Sequence, residues 1–416
     1  MRFVLAVIFS ISTFILFAQN KTVLLKPEMV FDGETLHSNW VVLVKGNTIT
    51  YAGIATEMPS IKIDSTILLP GQTLMPGIIE GHSHLFLHPY NETEWNDQVL
   101  KESRAERMVR AVNHARATLI AGVTTVRDLG TEGAGYDDVG LKKSIENGLT
   151  PGPRMIVAGR AIVAKGSYGP KSDNTELSLI VGAEETGGPD VINTVRDQIG
   201  HGVDLIKIYA DYGWGLKRRS VPTFTIAEIK DMVATASSTG RPVVAHASTK
   251  EGMRRAIEGG VETIEHGDNG DDEIFKLMKI NNVALCATIA AGDAVSTYSG
   301  WKKGQDADPE RIVQKKKSFK AALDQKVTIA FGGDVGVYTH GDNMREMELM
   351  VAYGMAPIAV LQSATAVNAK VFHQQNLGQI KAGFLAYIIA VRGNPVQNIS
   401  AMRNVNFVMK DGVQYK

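Results

Sequence analysis

Two histidines one residue apart have the spacing in this sequence that most directly suggests chemistry. His82 and His84 follow the apolar segment 76–79. If they continue a β-strand, their side chains lie on the same face, because strand side chains alternate with a period of two. Two imidazoles on one face can bind one divalent metal ion. The pair alone also fits two solvated loop histidines, so its meaning depends on the rest of the chain.

Four more residues with suitable ligand groups occur in or directly after later strand-like segments. Lys207 lies within the apolar segment 204–209, where the alternation of side chains predicts that it points inward, and His246, His266 and Asp334 each follow or end another such segment. Each has a simpler explanation on its own, as a structural histidine, a solvent-reaching lysine or a helix-capping aspartate. Their shared position at strand ends favours one common site.

The middle of the chain alternates apolar strand-like segments with amphipathic helical segments, the pattern of β/α units around a parallel sheet. The predicted strands are residues 73–79, 124–128, 154–157, 205–209, 243–246, 263–266, 283–288 and 328–331. The predicted helices are residues 102–121, 191–200, 225–239, 250–258, 272–279, 310–325 and 344–353. Eight strands with helical crossovers predict an α/β fold, a (β/α)8 TIM barrel, whose catalytic groups lie at the carboxyl ends of the strands. A doubly wound open sheet is the alternative, but no Gly-x-Gly-x-x-Gly motif follows the first strand.

Short strands with turn residues between them occupy both ends of the sequence. Gly46 and Asn47 separate two of these strands, which is typical of a hairpin. Neither end has enough residues to build a core alone. We therefore predict that residues 19–72 and 376–416 together form one small β-sandwich domain, and that residues 73–375 form the barrel domain.

The composition is that of an ordinary globular protein of 416 residues, with 44% hydrophobic and 21% charged residues. Lys and Arg together number 44, as do Asp and Glu, so the net charge of zero predicts no nucleic-acid partner. Cys286 is the only cysteine and lies in an apolar segment, which predicts a buried core thiol and excludes intramolecular disulfides. The composition leaves the oligomeric state open, a homo-oligomer included.

Residues 1–18 have the pattern of a secretory signal peptide. Arg2 precedes an apolar run that ends at Phe17, and Ala18 stands before a polar segment. An uncleaved anchor is the alternative, but the run is shorter than the roughly 20 residues of a transmembrane helix. We therefore predict an exported protein, periplasmic or secreted, with no stable membrane span after cleavage.

The order of the six ligand candidates resembles that of the metal-dependent amidohydrolase superfamily. Segments 76–79, 122–128, 259–267 and 379–383 are similar to its imidazolonepropionase-related branch, which includes prolidases and other dipeptidases. The resemblance covers almost the whole chain after the signal peptide. It implies two divalent metal ions as cofactors, and the four imidazoles make zinc the first expectation.

The resemblance also implies a role for each of the six residues. One ion would be held by His82, His84 and Asp334, the other by His246 and His266, with Lys207 as a bridge. Because an ammonium cannot lie between two cations, the lysine would act as a carbamate formed with carbon dioxide. Asp334 would be the catalytic residue that takes a proton from the attacking water and returns it to the leaving nitrogen.

Substrate contacts are predicted at three positions near the same strand ends. Tyr209 lies one step beyond Lys207 on the inward face, and Arg127 lies near the end of the second strand. Either could bind a substrate carboxylate, Arg127 by a bidentate pair. His340 follows the eighth strand and could reach the pocket.

Two segments near the predicted pocket do not determine the identity of the substrate. The loop at residues 164–170 lacks the histidine that related prolidases carry there, and Tyr168 or Lys165 could take its place. The aromatic residues in 209–214 could contact an apolar substrate group, but we interpret them as the core of a loop.

The leading interpretation is an exported binuclear metal-dependent amidohydrolase that hydrolyses an amide C–N bond. Its substrate would be a dipeptide, Xaa-Pro or other Xaa-Xaa, or a small N-acyl amino acid. The alternative is hydrolysis of a cyclic amide of the imidazolone or lactam type. A more remote alternative is a non-catalytic binding protein on the same barrel, which typically lacks some of the ligand residues.

Overall fold

The computed structural model describes residues 21–169, 182–214 and 219–416. The predicted signal peptide lies outside the described residues. Within those ranges, no helix combines the length and the apolar composition that crossing a membrane would require. The chain forms an α/β structure with two groups of strands.

The described residues form twenty β-strands and twelve α-helices. The strands are β1 (Thr22–Phe31), β2 (Leu36–Ser38), β3 (Trp40–Lys45), β4 (Thr48–Ile54), β5 (Ser65–Pro76), β6 (Ile78–Ser83), β7 (Val123–Asp128), β8 (Arg154–Val157), β9 (Ile162–Ala164), β10 (Glu184–Thr186), β11 (Ile206–Tyr209), β12 (Asp211–Trp214), β13 (Arg219–Pro222), β14 (Val243–Ala247), β15 (Thr263–His266), β16 (Ala284–Cys286), β17 (Ile329–Ala330), β18 (Ile388–Arg392), β19 (Val405–Lys410) and β20 (Val413–Gln414). The helices are α1 (Trp95–Lys101), α2 (Arg104–Ile120), α3 (Asp137–Glu146), α4 (Val191–Gly200), α5 (Ile226–Ser237), α6 (Lys250–Gly259), α7 (Asp272–Ile280), α8 (Ile289–Tyr298), α9 (Glu310–Asp324), α10 (Met344–Ala352), α11 (Pro357–Gln362) and α12 (Asn368–Val371).

Strands from both ends of the chain pair in one eight-stranded sheet. Along this sheet the order is β20-β19-β18-β5-β1-β3-β4, and β2 pairs with β1. The two ends meet at β18, which is antiparallel to both β5 and β19. Side chains of these strands form an apolar cluster that includes Leu25, Val42, Ile388 and Phe407. The predicted pairing of the two ends is thus observed, while their arrangement as a β-sandwich stays a prediction.

Turn residues set the register of the hairpins in this sheet. Lys45 pairs with Thr48, so the turn between β3 and β4 consists of Gly46 and Asn47, as predicted. The turn between β19 and β20 consists of Asp411 and Gly412, whose φ angles are 50° and 74°. Positive φ at both central residues is the requirement of a type I′ turn, which matches the twist of antiparallel strands.

A break at Pro76 and Gly77 separates the terminal sheet from the second group of strands. The predicted first strand, residues 73–79, is divided here, because β5 continues to Pro76 while β6 begins after Gly77. A Cβ atom at Gly77 would lie 2.1 Å from Thr124 Oγ1, so only glycine lets the chain pass this close to β7. As a result, β5 crosses the predicted domain boundary at residue 72, and β6 carries the histidine pair.

The second group consists of parallel strands whose carboxyl ends lie at one edge. One sheet contains β6, β7 and β8, and another has the order β10-β9-β11-β14-β15-β16-β17. Backbone hydrogen bonds link the two sheets at both sides: Asp204 N–H donates to Val157 O (2.8 Å), and Gly81 N–H donates to Phe331 O (3.0 Å). Cys286 on β16 is buried and free, as predicted.

Helices connect most of the parallel strands, and the residues that cap these helices can be identified in the sequence. For α5, Thr225 accepts a hydrogen bond from Glu228 N–H, and the Glu228 carboxylate accepts from Thr225 N–H, which is a complete capping box. All seven predicted helices overlap an observed helix, but five observed helices were not predicted, namely α1, α3, α8, α11 and α12. Most residues of α8 are buried on all sides, so its sequence lacks the polar face that marks an amphipathic helix.

Candidate active site

A cavity of about 720 Å³ opens where the parallel strands end. Five of the six predicted ligands line it: His82 on β6, His84 directly after it, His246 on β14, His266 at the end of β15, and Asp334 after β17. Parallel pairing holds the strand ends at a common level, since Tyr209 of β11 pairs with His246 and Ala247 pairs with His266. The strand-end positions read from the sequence therefore do converge in space.

The ligand groups converge around Asp334. Its Oδ1 atom lies 3.3 Å from His84 Nε2 and 3.7 Å from His82 Nε2. Ligand atoms of His82, His266 and Asp334 all lie within 4.8 Å of one another. The ring centre of His246 is 4.5 Å from that of His266. This cluster combines imidazole nitrogens with a carboxylate, the donor set that zinc and similar divalent ions prefer.

Three of the four imidazoles are oriented by hydrogen bonds to one ring nitrogen. His82 Nδ1 donates to Glu265 Oε2 at 2.9 Å, and His84 Nδ1 donates to the carbonyl oxygen of Gly130 at 2.8 Å. His266 Nδ1 is hydrogen-bonded to Thr288 Oγ1 at 2.7 Å. In each case Nε2 is the ring nitrogen that takes no part in this bond, and in His82 and His84 it faces Asp334. Metal-binding histidines are typically oriented in this way, by a carboxylate or carbonyl on the other nitrogen, so the residues fit a metal site.

Burial keeps most of these imidazoles neutral. Burial and the charge of Lys207 lower the pKa of His82 to about 4 and that of His246 to about 3. Burial and the neighbouring His246 hold the pKa of His266 well below its ordinary value. A neutral imidazole has a free lone pair, so these three side chains are in the form that binds metals at pH 7.

Asp334 makes the same cluster attractive to a cation. Burial alone would raise the pKa of its carboxyl group, but the adjacent His82 and His84 hold that pKa well below its usual range. Burial alone would likewise lower the pKa of His84, but the hydrogen bond and charge of Asp334 raise it to about 9. The cavity therefore contains a carboxylate that stays ionised at neutral pH and stabilises positive charge beside it.

Unusual backbone conformations concentrate at this site. His266, Thr288 and Asp334 adopt positive φ angles of 74°, 49° and 63°. Such left-handed conformations are costly for residues other than glycine, and they occur where surrounding structure enforces them, often at functional sites. At Asp334 the enforcing contact is the backbone hydrogen bond from its N–H to His82 O, 2.9 Å long.

Glu80 connects the strand of the histidine pair to the loop of Asp334. Its Oε1 accepts hydrogen bonds from His82 N–H (3.0 Å) and Gly333 N–H (2.8 Å), and its Oε2 accepts from Asn343 Nδ2 (2.9 Å). Glu80 is fully buried, and burial raises the pKa of its carboxyl group to about 7. Its contacts hold two ligand-bearing segments at a constant separation.

Lys207 is buried within β11, with 1% of its side chain exposed. Its Nζ lies 5.7 Å from the centre of the Tyr209 ring. Among the described residues, no hydrogen bond and no ion pair within 4 Å involves this ammonium group, although Glu265 and Asp334 influence it electrostatically. Burial lowers the pKa of Lys207 below its ordinary value. A buried ammonium without hydrogen-bond partners is energetically unfavourable, so burial favours the uncharged form of this side chain.

The structure contradicts the predicted substrate contact of Arg127. This side chain is 2% exposed and lies among core residues. Its Nε donates to Gly81 O at 2.6 Å, and its Nη1 and Nη2 donate to Thr263 Oγ1 at 3.2 Å and Glu265 Oε1 at 2.7 Å. Arg127 is therefore a positioning residue, because Glu265 in turn holds the ring of His82.

His340 is buried behind the cavity wall and is not one of the residues that line the cavity, contrary to prediction. Its ring stacks on that of His114 with centres 4.2 Å apart, and its Nε2 is within hydrogen-bond distance of Leu87 O at 2.9 Å. Burial, followed by the nearby His114, lowers the pKa of His340 well below its ordinary value. A buried neutral imidazole packed in this manner stabilises the cavity-lining segment of Leu87 from behind and does not itself line the cavity.

Tyr209 lines the cavity, in agreement with its predicted location. Its ring stacks on His246 at a centre distance of 4.5 Å and an interplanar angle of 15°. Tyr168 and Tyr212 pack against it and line the same cavity, so these aromatics are both a loop core and part of the pocket wall. Trp214 is 40% exposed and does not belong to that core.

Glu132 is a cavity residue that the sequence analysis did not identify. It follows β7, and its side chain lines the cavity beside Tyr168 and Tyr209. The available signal was the polar segment after the second strand, where ends of parallel strands carry functional groups.

Parallel strands with a histidine-rich cavity at their carboxyl ends define an α/β enzyme. The Amidohydrolase family model matches residues 73–414, so the chain belongs to the amidohydrolase family. The predicted enzyme class, a hydrolase acting on carbon–nitrogen bonds, is confirmed at that level.

The relatives include peptidases and ochratoxinase. The chain is 32% identical to a Xaa-Pro dipeptidase whose crystal structure has methionine bound in the active site, with a TM-score of 0.82, covering 95% of this chain and 100% of that one. It is 25% identical to a prolidase complexed with N-methylphosphonate-L-proline, with a TM-score of 0.80 and coverage of 95% and 100%. Ochratoxinase from Aspergillus niger is 28% identical over 428 aligned positions, 92% of this chain and 84% of that protein.

Replacing Glu265 by glutamine should destabilise the protein strongly. Glu265 is fully buried, and burial alone would raise its pKa, but Arg127 and His82 outweigh this effect and hold the pKa well below its usual range. The variant leaves the charge of Arg127 buried without its carboxylate, and removing one partner of a buried pair costs about 3–5 kcal/mol. Urea denaturation measures the loss.

The control for this substitution is Glu262→Gln. Glu262 pairs with His373 at the surface, and its side chain is 43% exposed. Exposed pairs contribute about 0–1 kcal/mol, so the control should unfold near the wild-type midpoint. Equal midpoints for Glu265→Gln and the control would contradict the positioning role of Glu265.

Proposed function

We propose that this chain is an exported binuclear metal-dependent amidohydrolase that cleaves the amide C–N bond of a dipeptide, Xaa-Pro or other Xaa-Xaa, or of a small N-acyl amino acid. The observation that carries this proposal is the orientation of the imidazoles. His82, His84 and His266 are each held through Nδ1, which leaves Nε2 as the nitrogen that a metal ion would bind in a cavity that also contains Asp334. The pattern of residues 1–18 supports the export part of the proposal.

We further propose that the parallel strands close into a (β/α)8 barrel and that the terminal sheet folds as a small β-sandwich. Support for closure comes from the hydrogen bond between Gly81 and Phe331 and from the bridge between Ser83 and Val335, which join β6, the first of the parallel strands, to the segment directly after β17, the last of them. A closed barrel brings the ends of distant strands to one mouth, as the ligand cluster requires.

The proposed metal ligands are those the family resemblance implies. One ion would be held by His82, His84 and Asp334, the other by His246 and His266, and Lys207 would bridge them as a carbamate. Zinc is the proposed metal. The ions, when bound, supply polarisation of the substrate carbonyl and a lowered pKa of water.

The protein groups then carry the proton and orient the reactants. Asp334, an ionised carboxylate, accepts a proton from the water whose oxygen attacks the amide carbon. As the C–N bond breaks, the same carboxyl group delivers that proton to the leaving nitrogen, so the products are a carboxylic acid and an amine. Glu80 and Glu265 hold the groups around Asp334 in position. Tyrosine side chains form another part of the cavity wall, and Tyr209 stacks on His246.

The relatives narrow the range of candidate substrates. Both solved neighbours described above are peptidases with Xaa-Pro or prolidase activity, and ochratoxinase is the curated relative. A dipeptidase and a prolidase cleave the amide bond of a dipeptide, and an N-acyl amino acid contains the same kind of bond. A cavity of about 720 Å³ is within the range that holds a small-molecule substrate.

Removing metal should abolish turnover. Dialysis of the holoenzyme against a chelator is expected to lower kcat/KM for dipeptides by at least about 100-fold, because both carbonyl polarisation and water activation are lost. Readdition of zinc should restore the activity, and metal analysis should find about two ions per chain.

A panel of dipeptides and cyclic amides, assayed with the same enzyme, decides the substrate. Turnover of cyclic amides alone would replace the dipeptide proposal. Activity that survives complete removal of metal would refute metal dependence.

A further inference from the structure

Glu132 is held in an unfavourable backbone conformation at the cavity wall. Its φ angle is 49°, and 3% of the residue is exposed. The loop that carries it is fastened by Arg107, whose Nη1 donates to Glu132 O at 2.7 Å and whose Nη2 donates to Thr131 O at 2.9 Å. The fold thus keeps Glu132 in the left-handed backbone conformation at a position where its carboxylate lines the cavity. This conformation is energetically costly, and packing alone does not explain why it is kept.

The carboxylate of Glu132 is hydrogen-bonded by neutral donors. Tyr168 Oη donates to Oε2 at 2.5 Å, Trp95 Nε1 donates to Oε2 at 3.0 Å, and Tyr209 Oη donates to Oε1 at 3.4 Å. Within the described part of the chain, no lysine or arginine forms an ion pair with it. Arg107 uses its donors on backbone carbonyls instead. The charge of Glu132 is therefore left for a group that enters the cavity.

The phenols around Glu132 remain proton donors. Burial, followed by the charge of Glu132, holds the pKa of Tyr168 well above the ordinary value. Tyr90 lines the same cavity and shows the same effect from the same causes. Together with Tyr212, these side chains surround one anion with aromatic rings. Aromatic faces attract ammonium and guanidinium groups, so the wall and the carboxylate select the same kind of ligand.

This arrangement changes the expected role of Tyr209. A substrate carboxylate bound to its hydroxyl group would face the Glu132 carboxylate, which accepts a hydrogen bond from the same hydroxyl. Among the described residues that line the cavity, Arg311 is the only lysine or arginine. It lies on α9, which follows β16, whereas Glu132 follows β7. A carboxylate is therefore attracted to a different part of the wall.

We propose, on the basis of the function proposed above, that Glu132 determines specificity by binding a cationic group of the substrate. The preferred substrates are amides that carry an ammonium or guanidinium group, either the α-ammonium of a free dipeptide or the side chain of a basic residue. The carboxylate pairs with this group while the tyrosine rings enclose it, and the scissile amide lies toward the histidine cluster.

Paired substrates test this specificity in the metal-loaded enzyme. Dipeptides containing lysine are compared with the same dipeptides containing norleucine, and each is compared with its N-acetylated form. The wild type should prefer the cation-bearing member of at least one pair by about 10- to 100-fold in kcat/KM, the value expected of a hydrogen-bonded charge pair. In Glu132→Gln, which keeps the shape and can still accept hydrogen bonds from the tyrosines, the preference should fall below about 3-fold. Because each value is a ratio within one enzyme preparation, a reduced folded fraction does not alter it.

Glu146→Gln is the matched control, because Glu146 is an exposed carboxylate on α3 that does not line the cavity. Its preference should equal that of the wild type. A preference below 3-fold in the wild type, or one that persists in Glu132→Gln, overturns the proposal while hydrolysis of the neutral amides leaves the proposed function intact.

Binding without turnover separates the two proposals. Calorimetric titrations use N-acetyl-norleucine amide, norleucine amide and N-acetyl-lysine amide, which carry no charge, an α-ammonium and a side-chain ammonium. Tighter binding of one cationic ligand that Glu132→Gln removes supports the role of Glu132, even if no amide is hydrolysed and the proposed function fails. Equal binding of all three ligands by the wild type overturns it.

Discussion

Replacing Asp334 by asparagine is expected to lower kcat/KM by about 10²- to 10⁴-fold, the usual contribution of a general acid–base group. The Asp334 carboxylate lies 3.3 Å from His84 Nε2 and 3.7 Å from His82 Nε2, at the centre of the ligand cluster. Asparagine retains one oxygen there but cannot take up a proton from water. It also tolerates the left-handed conformation that Asp334 adopts at φ 63°, so the backbone should be preserved.

The measurement is steady-state kinetics together with metal content, since the second readout separates loss of chemistry from loss of the site. Asp342→Asn serves as the control, because Asp342 forms a partly exposed ion pair with Arg403. The control should retain activity within about 3-fold, as expected for a surface pair. A near wild-type rate for Asp334→Asn with normal metal content would remove Asp334 from the proposed proton transfer.

Replacing Lys207 by alanine is expected to lower kcat/KM by about 10²- to 10³-fold, as does the loss of one charge-stabilising group in other active sites. The proposed carbamate supplies an anionic bridge, so the variant should also lose about one of two bound ions. Because the Lys207 ammonium makes no hydrogen bond or ion pair with described residues, its removal breaks no polar contact of the fold. The variant should therefore remain folded while the activity is lost.

Chemical rescue distinguishes the carbamate from an ordinary lysine. Alanine leaves space in which a short carboxylate such as acetate can supply the missing anion, so added carboxylate should restore part of the activity. Chloride at the same ionic strength is the control. Rescue by acetate alone supports the bridge, whereas full activity of Lys207→Ala without any additive would show that no bridge is needed.

The positions of the predicted metal ligands could be derived from the local sequence pattern. His82 and His84 share a face because strand side chains alternate, and Lys207 points inward for the same reason. His246, His266 and Asp334 were located at strand ends because apolar segments stop there, and parallel strands bring such ends to one edge. Period and segment length are properties of neighbouring residues, so the sequence is enough to determine them.

The roles of side chains whose partners are distant in the sequence could not be predicted from the local pattern. Arg127 was expected to contact substrate, but its guanidinium pairs with Glu265, 138 residues away along the chain. His340 was expected in the pocket, but it stacks on His114. A local pattern shows that a side chain is polar and lies near a strand end. It does not show which buried acceptor the side chain meets across the fold, and that contact decides its function.

The sequence by itself determined an α/β chain with an ordered set of histidines, a lysine and an aspartate at strand ends, since these features depend only on residue type and spacing. Tertiary structure decided which imidazole nitrogen is available, because the partners of Nδ1 in His82, His84 and His266 come from other segments. It also decided the chemistry of the cavity wall around Glu132. Glu132 becomes an anion among tyrosines only because separate loops enclose it, and the electrostatic field there is the sum of groups that the linear order keeps apart.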